Sequence, residues 1–283
     1  MMKKLLQRIY LFLILLFLYA PIIVLIVYSF NESKSRAVWQ GFSLTWYQQL
    51  FTDSKILNAL ETTLLIALVA SVVATVLGTF AALGIIKMKK KTFETVRTIT
   101  YIPVLNPDIV TGVSLMMLFA FVGIELGFVS MLLAHITFCT PYVIISVLPK
   151  LYQTDISVYE AAQDLGATPF YALRKTIIPQ LMPGIITGFL LSFTLSVDDF
   201  VISYFTTGGH VENLSMIIFS MARKGVNPKI NAVSALLFVT VMALLLVVNK
   251  RELSSKKRIS KNNKDTFLNR EKQILSIGEN EEK

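Results

Sequence analysis

Six apolar stretches separated by polar segments dominate the pattern of hydrophobic and polar residues along this 283-residue chain. Each is about 20 residues or longer, the length at which an α-helix crosses the hydrocarbon core of a bilayer. The stretches are Ile9–Phe30, Asn58–Ile86, Ile99–Val122, Val129–Leu148, Gly184–Thr206 and Ile230–Asn249. The pattern therefore predicts an all-α integral membrane protein with six transmembrane helices.

Two of the predicted spans carry small residues at helical spacing. In the fifth span, Gly184 and Gly188 form a G-x-x-x-G motif. In the second span, small residues recur every four positions, at Ala70, Ala74, Gly78 and Ala82. Small residues let helix backbones approach closely inside a membrane. We therefore expect both faces to pack against other helices.

Basic residues are distributed unevenly between the two sides that six spans define. Lys and Arg number 21 on the side of both termini and 6 on the other. Because basic loops stay in the cytoplasm, both termini are predicted to be cytoplasmic. Only 16% of residues are charged, against about 25% in soluble domains. The net charge of +9 therefore reflects loops and tail rather than a nucleic-acid site.

These features divide the chain into two parts. Residues 1–249 are predicted to form the six-span domain, with a polar loop at 150–183 between spans four and five. Residues 250–283 are charged and poor in aromatic residues. Such a segment buries too little apolar surface to fold, so it is predicted to be a disordered cytoplasmic tail.

The polar segment at residues 155–183, here called the elbow, carries two sets of helix signals. Ser157 and Glu160 fit a capping box, and Gly166 suits the left-handed end of that helix. Thr168 can cap a second helix that begins with a proline. The apolar face of the first helix consists of Val158, Ala161, Ala162 and Leu165. We predict two short helices with a sharp turn, which could still be an ordinary connection between spans.

The elbow resembles the EAA loop of permease subunits in ATP-binding-cassette importers. That loop reads Glu-Ala-Ala, three residues, Gly, nine residues, Ile, any residue, Leu-Pro. The present sequence departs from it at Thr176, where Ile is usual, and at Ile178, where Leu is usual. Neither change removes the turn or the proline. The matching residues are Glu160, Ala161, Ala162, Gly166 and Pro179.

In that family the loop is a coupling helix, which docks into a groove on a separate ATPase. The resemblance implies that the five matching residues couple this chain to a cytoplasmic ATPase dimer. The charge distribution independently predicts that the elbow faces the cytoplasm. ATP would be hydrolysed by the partner, so this chain is expected to be neither an enzyme nor a cofactor-binding protein. It contains no HExxH, GxSxG or GxxxxGK[ST] motif.

Three aspartates fall inside predicted spans, where charges are costly and usually functional. Asp198 and Asp199 lie within the fifth span, and Asp108 lies at the proline-interrupted start of the third. Helical spacing predicts a continuous polar face along the fifth span through Ser192, Ser196, Asp199, Ser203 and Thr206. Asp199 is therefore expected to matter for transport at least as much as Asp198.

The predicted spans contain no Lys or Arg to neutralise these aspartates, which favours a cationic substrate. Aromatic rings can add cation–π contacts, and Trp46 and Tyr204 are candidates. Alternatively, the aspartates could cap helix ends or lie among lipid headgroups, and the aromatic residues could form an interfacial belt. His135 and His210 are far apart in the chain and are interpreted as ordinary residues, so no metal site is predicted.

Three further segments resemble the polyamine permeases of this importer family. They are Tyr19–Asn31 (YAPIIVLIVYSFN), Asn106–Gly112 (NPDIVTG) and Ser192–Gly208 (SFTLSVDDFVISYFTTG). The similarity covers nearly all of residues 9–249. It implies a cell-membrane permease that imports spermidine or putrescine, together with a second homologous permease and an extracytoplasmic polyamine-binding protein.

Other functions remain open at this stage. A related importer could carry thiamine, ferric iron or sulfate, although unpaired aspartates disfavour an anion. An ATP-independent secondary transporter could use the aspartates as proton or sodium sites, and it would work without an ATPase. An intramembrane hydrolase has less support, since no Ser/His or two-His motif is present. The sequence does not distinguish spermidine from putrescine.

Overall fold

The computed structural model describes residues 2–33, 38–224, 228–243 and 245–246. Over these residues all regular elements are helical, which confirms the predicted all-α class, and one isolated β-bridge joins Asn31 to Phe42. The predicted tail at 250–283 lies outside the described residues. The helices are α1 (Met2–Tyr28), α2 (Thr45–Phe51), α3 (Ser54–Ile85), α4 (Lys90–Leu105), α5 (Asp108–Val122), α6 (Phe128–Tyr152), α7 (Ser157–Asp164), α8 (Pro169–Ala172), α9 (Ile178–Asp198), α10 (Val201–Thr206), α11 (Leu214–Lys224) and α12 (Lys229–Ala243).

Four helical segments are long and apolar enough to cross a bilayer. They are Leu5–Tyr28, Ser54–Ile85, Phe128–Tyr152 and Pro169–Asp198. Helices α4 and α5 meet the same condition only as a pair, which is bent by 104°. Helix α12 is apolar but shorter over its described part. The described residues thus provide four or five candidate spans, and the number six stays a prediction.

The third predicted span, Ile99–Val122, is broken near its start, where the sequence predicts a proline interruption. Helix α4 ends at Leu105, and Asn106 is extended with φ −74° and ψ 144°. Pro107 explains the bend, because a proline disfavours helical geometry in the residue before it and cannot donate a backbone hydrogen bond. Helix α5 then starts afresh at Asp108.

Helices α3, α6 and α9 pack together as the core of the bundle. Helices α3 and α9 both pack closely against Val143 of α6, which is fully buried. A Cβ built on Gly78 of α3 would lie 2.7 Å from the Val143 Cβ, and one on Gly188 of α9 would lie 3.2 Å from its Cα. A Cβ on Gly184 would lie 3.0 Å from the backbone oxygen of Ser146. The predicted packing of the small-residue faces is confirmed.

A second apolar cluster lies where α3 and α12 begin, which we call the far end because it is opposite the elbow. It joins α2, α3, α11 and α12 through Trp46, Leu50, Ile56, Ala59, Leu214, Ile217, Ala232 and Val233. Two ion pairs, each with N···O of 2.7 Å, join Lys229 to Asp53 and Lys55 to Glu212. The hydrogen bond from Lys229 lowers the pKa of Asp53.

Candidate functional site

The elbow has the predicted pair of short helices, α7 and α8, separated by a glycine turn. Gly166 has φ of +87°, the left-handed conformation that favours glycine. Its N–H donates to the Gln163 oxygen at 2.8 Å, and the Ala167 N–H donates to the Ala162 oxygen at 3.1 Å. These two bonds close the end of α7 in the manner of a glycine C-cap.

The start of the second short helix also agrees with the sequence. Thr168 precedes α8, and its side-chain oxygen accepts a hydrogen bond from the Tyr171 N–H at 3.4 Å. Pro169 is the first helical residue, where its missing N–H has no partner to lose. The predicted Thr168 cap is confirmed.

The predicted capping box at the start of α7 is wrong. Ser157 is already the first helical residue, and no side chain caps the helix from the position before it. Asp155 instead accepts a hydrogen bond from the Ser157 N–H at 3.0 Å. The hydroxyl and the N–H of Ser157 together lower the pKa of the Asp155 carboxyl. The acceptor thus lies two residues earlier than the pattern indicated, which leaves Glu160 free of a capping role.

The elbow presents apolar side chains to its surroundings. Leu165 is 90% exposed, Phe170 69% and Tyr171 56%. Of the residues that match the EAA pattern, Glu160, Ala161, Gly166 and Pro179 are exposed and Ala162 is half-buried. An uncovered apolar patch on a polar segment is typical of a surface that binds another protein.

One helical segment of 30 residues, Pro169–Asp198, runs from the elbow to the far half of the bundle. Near its start, residues Leu173–Ile177 form a π-helical turn, and the Ile178 N–H donates to the Leu173 oxygen. Pro179 explains this turn, because its ring collides with the carbonyl four residues earlier in a regular α-helix. The elbow and the far half are therefore joined by one helical segment, here called the rod, which contains a π-helical turn near its start.

The rod ends at a break between α9 and α10, formed by Asp199 and Phe200. Asp199 has an extended ψ of 123°. Its carboxylate accepts hydrogen bonds from the N–H of Ile202 at 3.1 Å and of Ser203 at 2.7 Å. These donors start α10 anew rather than continuing the hydrogen bonds of α9. The predicted fifth span, Gly184–Thr206, is therefore wrong as one continuous helix, and the polar face deduced from it is interrupted.

A buried polar network surrounds the break. His135 of α6 lies with Nδ1 2.6 Å from the Ser196 Oγ and Nε2 2.9 Å from the Ser203 Oγ. Its Nε2 is also 3.5 Å from Oδ2 of Asp199. The Ser203 hydroxyl donates to that same carboxylate oxygen at 2.8 Å. Asp199 therefore has polar side-chain partners, although none of them is a Lys or Arg.

Asn213, just before α11, completes the network. Its amide nitrogen donates to the Asp199 backbone oxygen at 3.0 Å and to the Ser203 Oγ at 2.8 Å. Its side-chain oxygen accepts from the Met216 N–H at 2.9 Å. The break is therefore held by residues of α6 and of the loop before α11 as well as by its own serines.

The residues predicted to line a path differ in accessibility. Asp108, Asp198 and Tyr204 are exposed. The Asp199 side chain is only 6% exposed. The buried candidates are Ser192, Ser196 and Trp46. Trp46 lies in the far-end cluster, where its indole N–H donates to the Asn31 oxygen at 2.7 Å.

Sequence reasoning missed two members of the network. His135 carried a signal, since a histidine within an apolar span needs a polar partner, but nothing in the sequence identified that partner. Asn213 carried no signal, because asparagine is common in the polar loop between two helices. Both become recognisable only once α6 and α11 are packed against the break.

Residues 74–250 match the family model described as binding-protein-dependent transport system inner membrane component. The chain belongs to this family. It is therefore a transport permease of the cell membrane, in agreement with the class and the location predicted from the EAA pattern.

Curated relatives extend the similarity over most of the chain. The spermidine/putrescine transport system permease protein PotC of Haemophilus influenzae is 39% identical over 247 residues, covering 87% of this chain and 96% of that protein. The putrescine transport system permease protein PotI of Escherichia coli strain K12 is 41% identical over 234 residues, covering 80% of this chain and 83% of that protein.

Solved structures of importers share the fold. A bacterial ABC transporter for the acidic polysaccharide alginate matches with a TM-score of 0.65 and 18% identity, over 88% of this chain and 93% of that one. The MetNI methionine ABC transporter matches with a TM-score of 0.59 and 20% identity, over 69% of this chain and 94% of that one. The architecture is thus that of ABC importer permeases.

Proposed function

We propose that this chain is one of two permease subunits of an ABC importer that carries polyamines into the cell. The observation that carries the proposal is the resemblance to the polyamine permeases PotC and PotI over at least 80% of the chain. Exposed, unpaired carboxylates in apolar surroundings agree with it chemically. A second homologous permease, a cytoplasmic ATPase dimer and an extracytoplasmic polyamine-binding protein would complete the assembly.

The proposed topology has six spans with both termini in the cytoplasm. Two of the six are broken helices, one formed by α4 with α5 and the other by α9 with α10. The last is α12, which starts beside Asp53 at the far end. Six crossings return the C-terminus to the side of the N-terminus, and the positive-inside bias makes that side the cytoplasm.

The elbow is proposed to dock on the ATPase. Its exposed apolar side chains, among them Leu165 at 90%, support this assignment. Glu160, Ala161, Ala162, Gly166 and Pro179 would form or shape the contact. Since the rod Pro169–Asp198 starts in the elbow, movement of the ATPase would reach the break as a displacement of one helix. The chain itself would need no cofactor, because ATP is used by its partner.

Two exposed carboxylates each lie four residues along the chain from a contact between α5 and α10. Gly112 of α5 packs beside α10, since a Cβ built on it would lie 3.4 Å from the Cα of Ile202. Asp108 precedes Gly112 by four residues, and Asp198 precedes Ile202 by four. Asp108 is the first residue of α5, and Asp198 is the last residue of α9. Asp108 and Asp198 are proposed to meet the protonated amines.

The remaining path candidates divide into two roles. Tyr204 is 57% exposed and could add a cation–π contact. Asp199, Ser192, Ser196 and Trp46 are buried, and they are proposed to shape the path from behind rather than to meet the substrate.

The test is uptake of radiolabelled spermidine and putrescine by cells that lack their own polyamine importers and express the complete assembly. Asp198→Asn should lower uptake about tenfold or more, because desolvating an unpaired ammonium costs several kcal/mol. Asp108→Asn should lower it less, and spermidine should suffer more than putrescine because it carries one more charge. Glu125→Gln, an exposed carboxylate beyond α5, is the matched control.

Two results would contradict this function. If cells that express the assembly with the wild-type chain take up neither amine, the proposed polyamine substrate is rejected. Uptake that continues when the partner ATPase is catalytically inactive would reject the importer mechanism in favour of a secondary transporter.

A further inference from the structure

The His135 side chain hydrogen-bonds to both halves of the broken fifth span. Its Nδ1 meets Ser196 of α9 at 2.6 Å, and its Nε2 meets Ser203 of α10 at 2.9 Å. The ring is 1% exposed, and both serines are buried as well. The two serines lie on opposite sides of the break, so the imidazole bridges α9 to α10 across it.

One arrangement of protons satisfies this network. Ser203 Oγ donates to Asp199 Oδ2 and accepts from the Asn213 amide. Because Ser203 Oγ already donates its one proton, His135 Nε2–H is the donor in the bond between them. This leaves His135 Nδ1 to accept from the Ser196 hydroxyl. A neutral imidazole can donate at one nitrogen and accept at the other, as this arrangement requires.

The adjacent aspartates have contrasting surroundings. The Asp199 carboxylate accepts from Ile202, from the N–H of Ser203 and from its hydroxyl, and its side chain is 6% exposed. Asp198 is exposed, and within the described part of the chain it makes no hydrogen bond or ion pair. One carboxylate is therefore committed to the fold, while its neighbour is available to a ligand.

We propose that His135 is a positioning residue that fixes the break and thereby turns Asp198 toward the transport path. Asp199 helps to hold the break through its hydrogen bonds and does not contact the substrate. The role of Asp198 rests on the proposed function, because that function identifies the substrate as a polyamine. The role of His135 in the geometry of the break does not depend on it. This assignment of roles differs from the expectation from helical periodicity, in which Asp199 meets the substrate and matters for transport at least as much as Asp198.

The mechanism follows from the connection between the residues. If the bridge is lost, α9 and α10 are free to change their angle at Asp199. Asp198 is the last residue of α9, so its carboxylate moves with that angle. The bound amine then loses its partner even though Asp198 is still present.

The experiment is a double-mutant cycle on the complete importer. His135→Leu, Asp199→Asn, Asp198→Asn and the two pairs with His135→Leu are compared. Thermal stability of the purified complex is measured by size-exclusion chromatography after heating, and polyamine uptake gives KM and maximal rate. His135→Gln, which keeps a donor near the position of Nε2, is the conservative variant, and Ser196→Ala is a milder variant that removes one bond.

The proposal makes distinct forecasts for the two aspartates. His135→Leu and Asp199→Asn should each lower the Tm by about 5 °C, and the double variant should fall little further because both remove the same network. Asp198→Asn should leave the Tm unchanged. His135→Leu should raise the uptake KM about tenfold, and His135→Gln should recover much of that loss. If His135→Leu does not assemble, Ser196→Ala should show a smaller shift of both quantities in the same direction.

Three outcomes would overturn the proposal. The first is an Asp199→Asn variant that keeps its Tm and loses uptake as fully as Asp198→Asn. The second is additivity of the Tm losses in the His135→Leu/Asp199→Asn pair. The third is a His135→Leu variant with normal KM. If wild type imports no polyamine, the proposed function fails, but the Tm cycle still tests the bridge because it needs no substrate.

Discussion

The elbow and the break both interrupt an apolar chain with polar residues, yet their hydrogen bonds have opposite ranges. In the elbow, the bonds of Asp155, Gly166 and Thr168 reach residues two to three positions away. At the break, His135 bonds to side chains 61 and 68 residues away. The first site is open to its surroundings, and the second is buried.

This difference determines how each site responds to change. An exposed local bond exchanges with water, so losing it costs little, whereas a buried group without a partner costs about 1–3 kcal/mol. Damage at the break should therefore appear as lost stability of the whole subunit. Damage in the elbow should appear as lost coupling in a subunit that is otherwise intact.

Asn213→Ala should give the largest stability loss. The variant removes two donors from the Asp199 oxygen and the Ser203 Oγ, and it removes the acceptor that the Met216 N–H uses. We expect a loss of about 2–3 kcal/mol, measured as a lower Tm of the purified complex. Asn58→Ala, on an exposed position of α3, is the control and should leave the Tm unchanged. Equal Tm values for the two variants would contradict the assignment of a buried network.

Gly166→Ala should have the next largest effect, confined to coupling. A Cβ meets no atom within 4 Å at Gly166 or at Gly84, but only Gly166 has a positive φ. The left-handed conformation costs a residue with a Cβ about 1–2 kcal/mol, roughly a fivefold or larger change in an equilibrium. ATP hydrolysis stimulated by the binding protein should fall accordingly, with normal amounts of permease in the membrane. Gly84→Ala is the control, and an equal effect of both would show that φ is not the cause.

Glu160→Gln should have a smaller effect, which now has a single interpretation. Because the capping box is not formed, the carboxylate has no capping role to lose. A charge-dependent contact with the ATPase is worth up to about 1 kcal/mol at an exposed site. The variant should bind the ATPase more weakly in a pull-down titration, while Asp164→Asn on the same helix should not. Unchanged binding would mean that Glu160 makes no contact through its charge.

The smallest effect concerns pH and the start of α7. Hydrogen bonds from Ser157 hold the pKa of Asp155 below its ordinary value of 3.8. The stabilisation is therefore fully present above that value and is lost as the pH falls through the lowered pKa of the folded state. Hydrogen-exchange protection of residues 157–160, corrected for intrinsic rates, should be constant from pH 7 to about pH 4 and fall below it. Asp155→Ala should lack this pH dependence; a wild-type transition well above pH 4 would contradict the assignment.

Local signals predicted the elbow well because its structure is made of neighbouring residues. Gly166 and Thr168 behave as their residue types require, and the error at Ser157 came from choosing between two nearby acceptors. The small residues of α3 and α9 were predicted for a related reason. Small residues at four-residue spacing indicate that another helix packs against that face. They do not identify Val143 as the residue that contacts both Gly78 and Gly188.

The sequence by itself determined that the protein is a helical membrane permease with an elbowed surface element and carboxylates in apolar surroundings. These properties follow from periodicity, composition and short motifs, all of which act over a few residues. Only the tertiary structure decided which of the adjacent aspartates is buried and where the fifth span breaks. That choice depends on His135 and Asn213, which reach Asp199 and its neighbours through packing of α6 and α11. Helical periodicity assumes a continuous helix, and it fails where a distant side chain makes an interruption stable.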